Sequence, residues 1–195
     1  MNRDGIWRVA AGACALVLGA CHSAPTRVYT LEAGTPVARM ESYQAPALRI
    51  DTLSVPAGWD RIEILVPSSA GTLQISDFDH WSAPLAQIAR QALSADLDQR
   101  LPSGSVIYPR LSKPSSALGI NVDILEFGVV ASHASMQASW VITPAAGSSS
   151  AKRSEALLSG TLTSPDPAAV ARVWGDLLVQ LADRIAADAA AFKTP

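Results

Sequence analysis

The sequence has little cysteine, little charge and few aromatic residues. Only two of its 195 residues are cysteine, 16% are charged and 6% are aromatic, whereas about 25% of residues are charged in a typical soluble domain. The formal net charge of −2 and the pI of about 5.9 leave no basic excess to neutralise a phosphate backbone, so nucleic-acid binding is not expected. After residue 20, no apolar run reaches the roughly 18–20 residues that cross a bilayer. A polytopic membrane protein is therefore excluded.

The first twenty residues have the layout of a secretory signal peptide. Arg3 and Arg8, together with the α-amine, outweigh Asp4 and make residues 1–8 net positive. Residues 9–20 then form an apolar run of twelve residues, which is too short for a stable transmembrane helix. We therefore expect residues 1–20 to be removed during export.

The signal ends in a tetrapeptide whose last residue can carry lipid, formed by Leu18, Gly19, Ala20 and Cys21. This tetrapeptide resembles the bacterial lipobox, which implies cleavage after Ala20, a diacylglycerol thioether on Cys21 and acylation of the new α-amine. Several acyl chains hold a protein on a membrane durably, whereas one holds it only marginally. The other cysteine, Cys14, leaves with the signal, so no disulfide and no further thiol are expected in the mature chain. The alternative is an ordinary secretory signal with an unmodified Cys21.

The residue after the cysteine bears on the destination of the protein. His22 stands where bacterial lipoproteins retained in the inner membrane typically carry aspartate. By that analogy, we expect anchoring in the outer membrane, facing the periplasm. Residues 22–46 are rich in Ser, Thr, Pro and Ala and favour a tether with one extended patch at 28–31. The predicted organisation is a signal peptide at 1–20, a lipidated N-terminus and tether at 21–46, and one domain at 47–195.

Two segments of the domain have the pattern of amphipathic helices. The first runs over 85–101, with Asp79 or Ser82 as its cap and Pro84 in its first turn. The second runs from Pro167 to about residue 192, with Asp166 as its cap. In both helices the apolar residues recur at helical spacing along one stripe.

The remaining periodic segments are typical of strands. Strands are predicted at 48–55, 61–66, 72–76, 105–109, 118–130, 133–143 and 155–163. The second and third of these form a hairpin across a Pro, Ser and Gly turn. The predicted fold class is α+β, with two layers, a mostly antiparallel or mixed sheet, and both helices packed on one face.

The sequence shows no recognisable catalytic constellation. It has no HExxH, no CxxC and no Gly-x-Ser-x-Gly motif, and its three histidines are not spaced for metal ligation. Asp77, Asp79 and His80 form the only acidic and imidazole cluster. We interpret it as a loop and helix cap, with partner contact or a catalytic or metal role as alternatives. Neither an enzyme nor a metal or other cofactor is expected.

The tryptophans divide into two groups. Trp140 lies within a predicted strand and Trp174 on the apolar stripe of the last helix, so both are expected in the core. Trp59 follows a Pro-Ala-Gly stretch in a predicted loop, where an exposed indole would mark a surface for a partner.

Several short motifs occur in an order that points to a known family. They are the lipobox at Cys21, Tyr29-Thr-Leu31, the Val55 to Arg61 segment, the helix start with Trp81, Pro84 and Leu85, the pair Glu126-Phe127, the strand motif Ala138-Ser-Trp140, and the closing helix over 170–190. In this order they resemble the ABC-type transport auxiliary lipoproteins, the PqiC-like family. The helix start is the most specific of these motifs. Trp81, Pro84, Leu85 and Trp140 are expected to be mainly structural.

The resemblance implies a non-enzymatic function. Members are outer-membrane-anchored components of transport systems that move lipids or other hydrophobic molecules between the two membranes and support envelope integrity. The implied partner is an MCE-domain protein of the same system, and self-association stays open. The alternative from another class is a stand-alone envelope lipoprotein that acts as an assembly chaperone or structural module.

Overall fold

The computed structural model describes residues 25–34, 39–68, 72–144 and 150–192. Its elements in chain order are β1 (Arg27–Tyr29), β2 (Leu48–Ser54), β3 (Glu63–Pro67), β4 (Leu73–Trp81), α1 (Leu85–Arg100), β5 (Leu118–Val130), β6 (His133–Thr143), β7 (Lys152–Thr161) and α2 (Pro167–Ala189). The predicted α+β fold class is confirmed.

The strands form two sheets rather than one. The smaller sheet has the order β1-β4-β3 and the larger one β2-β5-β6-β7. Each sheet combines one parallel pair, β1 with β4 or β2 with β5, with antiparallel pairs. The predicted hairpin is confirmed as β3 and β4. It stands in its own sheet because β2 pairs with β5, which lies far along the chain, and periodicity carries no information on such pairing.

The larger sheet carries its apolar side chains on the face that the helices cover. Ile120, Val122 and Ile124 of β5 alternate inward, opposite Ile142, Trp140 and Ala138 of β6. A bulge then leaves Leu125 without a partner on β6. The extra residue turns Glu126 outward and Phe127 into the core, which explains why neither face of this strand is cleanly polar in the sequence.

Helix α1 begins and ends within one residue of its predicted bounds, but its predicted cap is wrong. Pro84 is the N-cap residue, and its side chain accepts no hydrogen bond from the helix. Instead, the carboxylate of Asp60 accepts a hydrogen bond of 3.1 Å from the backbone N–H of Ala86. This acceptor comes from a distant loop, so a local capping rule does not reveal it.

Helix α2 follows its sequence signals closely. The Asp166 side chain accepts a hydrogen bond of 2.9 Å from the N–H of Ala169, and Pro167 occupies the first turn. The helix ends at Ala189, three residues before the predicted end. Its stripe is buried, as shown by Val170, Val173, Trp174, Leu177, Leu178, Leu181 and Ile185.

Two predicted strands differ most from the structure, whereas those predicted at 61–66 and 155–163 are shifted by one to three residues at their ends. Residues 105–109 contribute only an isolated bridge between Val106 and Leu48. The strand predicted at 72–76 continues to Trp81 as β4, because β1 and β3 supply pairing on both of its sides. Asp77, Asp79 and His80 therefore lie in a strand and not in a loop.

The described parts of the predicted tether pack onto the fold. Strand β1 joins the smaller sheet, and Leu31 and Tyr43 are buried in the core. We call the described residues 25–34 and 39–46 the N-terminal segment. Its low hydrophobic content hides these anchoring positions in the sequence. Within the described residues, no helix combines the length and the apolar character needed to span a membrane.

Candidate functional site: the clamps on the N-terminal segment

A buried carboxylate, that of Asp79, holds strand β1. One of its oxygens accepts hydrogen bonds from Arg27 Nε at 2.7 Å and from the Tyr29 hydroxyl at 3.0 Å. The other accepts from Arg27 Nη2 at 3.0 Å and from the Ser76 hydroxyl at 2.5 Å. Asp79 is only 2% exposed. A charge buried this deeply requires partners, and here two of the three partner residues belong to β1. We call this group the Asp79 clamp.

Strand register places the members of the Asp79 clamp together. In the parallel pair of β1 and β4, Arg27 lies opposite Asp79 and Tyr29 opposite Trp81. The β3–β4 pairing then jumps from Glu63–His80 to Leu65–Ile75, which leaves several extra residues on β4 between Ile75 and His80. This irregularity folds the strand locally, so that the Ser76 hydroxyl reaches the carboxylate three residues further on.

The electrostatics of the clamp favour the charged carboxylate. The hydrogen bonds from Arg27 are the largest effect on the pKa of Asp79 and lower it to about 2, with further lowering by Ser76 and Tyr29, although burial opposes them. Burial, followed by the bond to Asp79, raises the pKa of the Tyr29 hydroxyl. The carboxylate is therefore ionised, and the phenol remains a hydrogen-bond donor, at any physiological pH.

A second buried carboxylate holds the segment beyond β1. Asp96 of α1 accepts a hydrogen bond of 2.8 Å from the backbone N–H of Gly34. Asp96 is fully buried. Burial raises its pKa, whereas the Gly34 N–H and the charge of Arg100 work in the opposite direction.

Arg100 joins this second clamp to helix α2. Its Nε donates to Asp183 at 2.5 Å and its Nη2 to the Val179 carbonyl at 3.2 Å. Its own carbonyl accepts a hydrogen bond of 2.6 Å from the N–H of Met40. We call Asp96, Arg100 and these partners the Asp96 clamp. It ties the N-terminal segment to both helices at once.

Close packing completes the attachment of the segment. A Cβ placed on Gly34 would lie 2.1 Å from Cγ2 of Val179, so α2 leaves no room for a side chain there. Tyr43 is buried, and its hydroxyl donates to the Pro46 carbonyl at 2.8 Å, while burial raises its pKa to about 12.

The clamps are suited to holding the chain rather than to proton transfer. A carboxylate with a pKa of about 2 and two hydrogen bonds on each oxygen is a poor base near neutral pH. Within residues 25–34, 39–68, 72–144 and 150–192, no three His, Cys, Asp or Glu side chains group so as to hold a metal ion.

Comparison with known proteins identifies the family to which this fold belongs. The family model of the ABC-type transport auxiliary lipoprotein component matches residues 29–186. The chain belongs to this family. The match begins at Tyr29, the last residue of β1, so it includes the N-terminal segment from that residue onward.

Solved structures show the same fold for this auxiliary lipoprotein. The crystal structure of an uncharacterized protein aligns with a TM-score of 0.66 at 17% identity, over 85% of this chain and 99% of that one. Protein XCC0632 from Xanthomonas campestris aligns with a TM-score of 0.58 at 16% identity, over 82% and 92% of the two chains. No curated protein matches the chain.

The family-motif residues of the auxiliary lipoprotein lie mostly in its core. Trp81, Leu85 and Trp140 are buried, whereas Pro84 is exposed at the start of α1. The indole N–H of Trp140 donates to Asp188 at 3.0 Å, which joins β6 to α2.

Trp59 does not present the exposed indole that would mark a surface for a partner. Trp59 is 9% exposed, and its ring meets Phe127 edge-on at a centroid distance of 4.7 Å and Trp174 at 6.1 Å. The loop that carries Trp59 folds back onto the core, because the transfer of a large apolar indole from water into the core is favourable in free energy.

The cluster of Asp77, Asp79 and His80 is not brought together as a site. Asp79 belongs to its clamp, Asp77 is exposed, and His80 is half-buried beside Glu63 and Val28 in the sheet. The lipobox residues Leu18, Gly19, Ala20 and Cys21 lie outside the described residues, so their predicted role stays a prediction.

Sequence reasoning missed the partners in both clamps. Asp96 and Arg100 continue the buried stripe of α1 after Leu93, at i,i+3 and i,i+4 spacing. A charged pair four residues apart on an apolar stripe is a usable signal, since such residues are buried only when paired. Arg27 and Tyr29 carry no comparable signal, because their partner is fifty residues away.

Two larger grooves lie on the surface of the described residues. One, of about 560 Å³, lies between α1 and the following loop and is lined by Leu53, Arg90, Tyr108 and Arg110 among others. The other, of about 540 Å³, lies at the β5–β6 turn and has no charged residue in its lining.

Proposed function

We propose that the protein is the lipid-anchored, periplasm-facing outer-membrane component of an MCE and ABC-type transport system. In this role it supports the passage of lipids or other hydrophobic molecules between the two membranes, and with it envelope integrity. Membership of the auxiliary lipoprotein family carries the proposal. The signal peptide and the lipobox ending in Cys21 support it from the sequence.

The clamps give the proposed role a physical basis. Only residues 22–26 separate Cys21 from β1, which corresponds to at most about 20 Å of extended chain between Cys21 and Arg27. A flexible tether of 25 residues would let the domain take many positions. Attachment through Asp79 and Asp96 instead keeps it close to the membrane, which raises its effective concentration for a partner that reaches the same surface.

The proposed role is non-enzymatic. The Asp79 carboxylate is occupied by four hydrogen bonds, and Asp77 is exposed on the same strand. Alanine at Asp77 or at His80 should leave envelope function unchanged. A large loss of function in a variant with intact folding would restore the hydrolase hypothesis.

The test is recovery of the partner from membranes. The full-length lipoprotein would be crosslinked, solubilised in mild detergent and purified beside Cys21→Ser, and the captured proteins would be identified by mass spectrometry. We expect an MCE-domain protein with the wild type and a clear loss of it with Cys21→Ser. Recovery of a folded, membrane-bound lipoprotein alone would contradict the transport role and favour the stand-alone envelope lipoprotein.

A substitution in the Asp79 clamp tests whether the clamp contributes to partner binding. Asp79→Asn removes the buried charge but keeps the shape, and Asp77→Asn makes the same change on an exposed residue of the same strand. We expect less MCE-domain protein with Asp79→Asn at equal membrane content, and no change with Asp77→Asn. Equal recovery with both variants would show that the clamp does not serve partner binding.

A further inference from the structure

The smaller sheet carries a group of exposed apolar side chains near the N-terminal end of the described chain. Val28 is 66% exposed, Leu73 46%, Ile75 50% and Phe78 44%. We call these four residues the apolar face. Single exposed apolar side chains are ordinary, but a group of them marks a surface that meets another apolar phase.

Strand register places most of the apolar face on one side of the sheet. Val28 pairs with His80, which pairs in turn with Glu63, and the next rows are Leu65–Ile75 and Pro67–Leu73. Because Glu63, Leu65 and Pro67 alternate along β3, the three rows lie on the same side. Leu65 itself is buried, so the exposed apolar side chains of these rows are those of β1 and β4. Asp79 and Trp81 are buried on the other side. Phe78 lies beside these rows, in the irregular part of β4.

Chain direction connects the apolar face with Cys21. Strand β1 runs parallel to β4, with Arg27 opposite Asp79 and Tyr29 opposite Trp81. The N-terminal end of β1 therefore points along β4 toward Ile75 and Leu73. The six residue steps from Cys21 to Arg27 span at most about 20 Å. The rows from His80 to Leu73 run beside only the four residue steps from Glu63 to Pro67, about 13 Å at 3.3 Å per residue, so the chain is long enough to place Cys21 beside the whole apolar face.

We propose that the apolar face rests on the bilayer surface beside the anchor, with its side chains at the boundary between headgroups and acyl chains. This inference depends on lipid attachment at Cys21, as proposed above. The Asp79 clamp holds β1 to β4, so the chain toward Cys21 leaves the domain at the end of β1 that points toward this face. The lipid anchor and the apolar face together then orient the domain on the membrane.

The test uses single-cysteine labelling of the full-length lipoprotein. Since Cys14 leaves with the signal and Cys21 is acylated, an introduced cysteine is the only free thiol. Leu73→Cys and Ile75→Cys report on the apolar face. Leu157→Cys is the matched control, because Leu157 is a 76% exposed strand leucine on the larger sheet. Each variant carries an environment-sensitive fluorophore and is reconstituted into phosphatidylethanolamine and phosphatidylcholine vesicles with nitroxide lipids as quenchers.

We expect blue-shifted emission and lipid quenching at positions 73 and 75, at a depth of about 5–10 Å, with neither effect at position 157. Circular dichroism and co-flotation with vesicles establish that each variant is folded and anchored. Protein that floats while all three probes remain in water would overturn the membrane contact and leave the anchor intact. Protein that does not float, or that carries no acyl chain by mass spectrometry, would overturn the anchor and the membrane contact together.

The labelling experiment gives a different outcome if a protein, and not the bilayer, covers the apolar face. If the probes at positions 73 and 75 are shielded only when a second copy or an MCE-domain protein is present, and lipid quenchers have no effect, the face is a protein interface and the bilayer contact is wrong.

Discussion

At the scale of single residues, two buried aspartates have different environments. Arg27, Tyr29 and Ser76 surround Asp79 with donors and lower its pKa to about 2. Asp96 has fewer donors, and burial raises its pKa. Both bind the N-terminal segment, but only Asp79 does so through a fully satisfied charge.

Asp79→Asn tests the value of that charge. The amide keeps the size of the side chain but places an NH₂ group against the donors of Arg27, Tyr29 or Ser76. We expect the free energy of unfolding at neutral pH to fall by about 1–3 kcal/mol, measured by urea denaturation. Asp77→Asn on the same strand is the control and should stay within about 0.5 kcal/mol of the wild type. Equal effects of the two substitutions would contradict the clamp.

The depressed pKa of Asp79 also predicts a pH dependence. Its carboxyl has a pKa of about 2 in the folded protein and about 3.9 in the unfolded chain. Between these values the unfolded state binds more protons, so the stability contributed by Asp79 is fully present above about pH 4 and is lost as the pH falls toward 2. Unfolding curves at pH 5, 4, 3 and 2 should show a steeper loss for the wild type than for Asp79→Asn. Parallel losses would indicate that Asp79 does not titrate as described.

Gly34 marks the closest approach of the N-terminal segment to α2. Gly34→Ala would force its methyl group against Val179, whose branched side chain is stiff in a helix. We expect a loss of about 1–3 kcal/mol by urea denaturation, largely recovered in Gly34→Ala with Val179→Ala. Gly58→Ala is the control, because no atom lies within 4 Å of a Cβ built there. A loss that Val179→Ala does not recover would show that the two residues are not in contact.

At the scale of elements, a bulge decides the packing of β5. Leu125 is the extra residue, and after it Phe127 turns inward and stacks on Trp174 at a centroid distance of 4.2 Å. Trp59 closes the group edge-on. Aromatic contacts of this kind add to the free energy gained from the area they bury, so this trio joins β5, α2 and the loop before β3.

Phe127→Ala should therefore be strongly destabilising. We expect a loss of about 3–5 kcal/mol, visible as a lower melting temperature. Leu125→Ala, two residues away but about half exposed, should change stability by no more than about 0.5 kcal/mol. If the two substitutions had similar effects, the bulge would lie elsewhere in the strand.

The elements differ in how well their sequence predicts them. Strands β5 and β6 and helix α1 have long periodic patterns with clear ends, and their bounds follow from the sequence within a residue. Strand β4 does not, because β1 and β3 supply its pairing from distant positions. The isolated bridge of Val106 shows the reverse case, where a strand-like pattern finds only one partner. In both cases the pairing with distant strands, and not the local strand propensity, determines how long the strand is.

At the scale of the whole molecule, the N-terminal segment is part of the fold. The composition of residues 22–46 favours a tether, since 12 of these 25 residues are Ser, Thr, Pro or Ala. Even so, Arg27, Leu31, Gly34 and Tyr43 attach the N-terminal segment to the sheet and the helices. These few contacts decide whether the segment is ordered, and its average composition does not. Their partners are distant in the sequence, so the segment alone does not reveal them. The contacts of both clamps with the N-terminal segment were therefore not predictable, whereas the family and the fold class were.

Hydrogen exchange of the backbone amides in the full-length lipoprotein tests the attachment of this segment most directly. The Gly34 N–H donates to Asp96 and the Ser82 N–H donates to the Tyr29 carbonyl of β1, so these two amides should open only with the core. We predict protection at both amides comparable with that of β4, and loss of the protection at Ser82 in Asp79→Asn. Exchange of the Gly34 and Ser82 amides at the rate of an unstructured peptide would contradict the clamped segment.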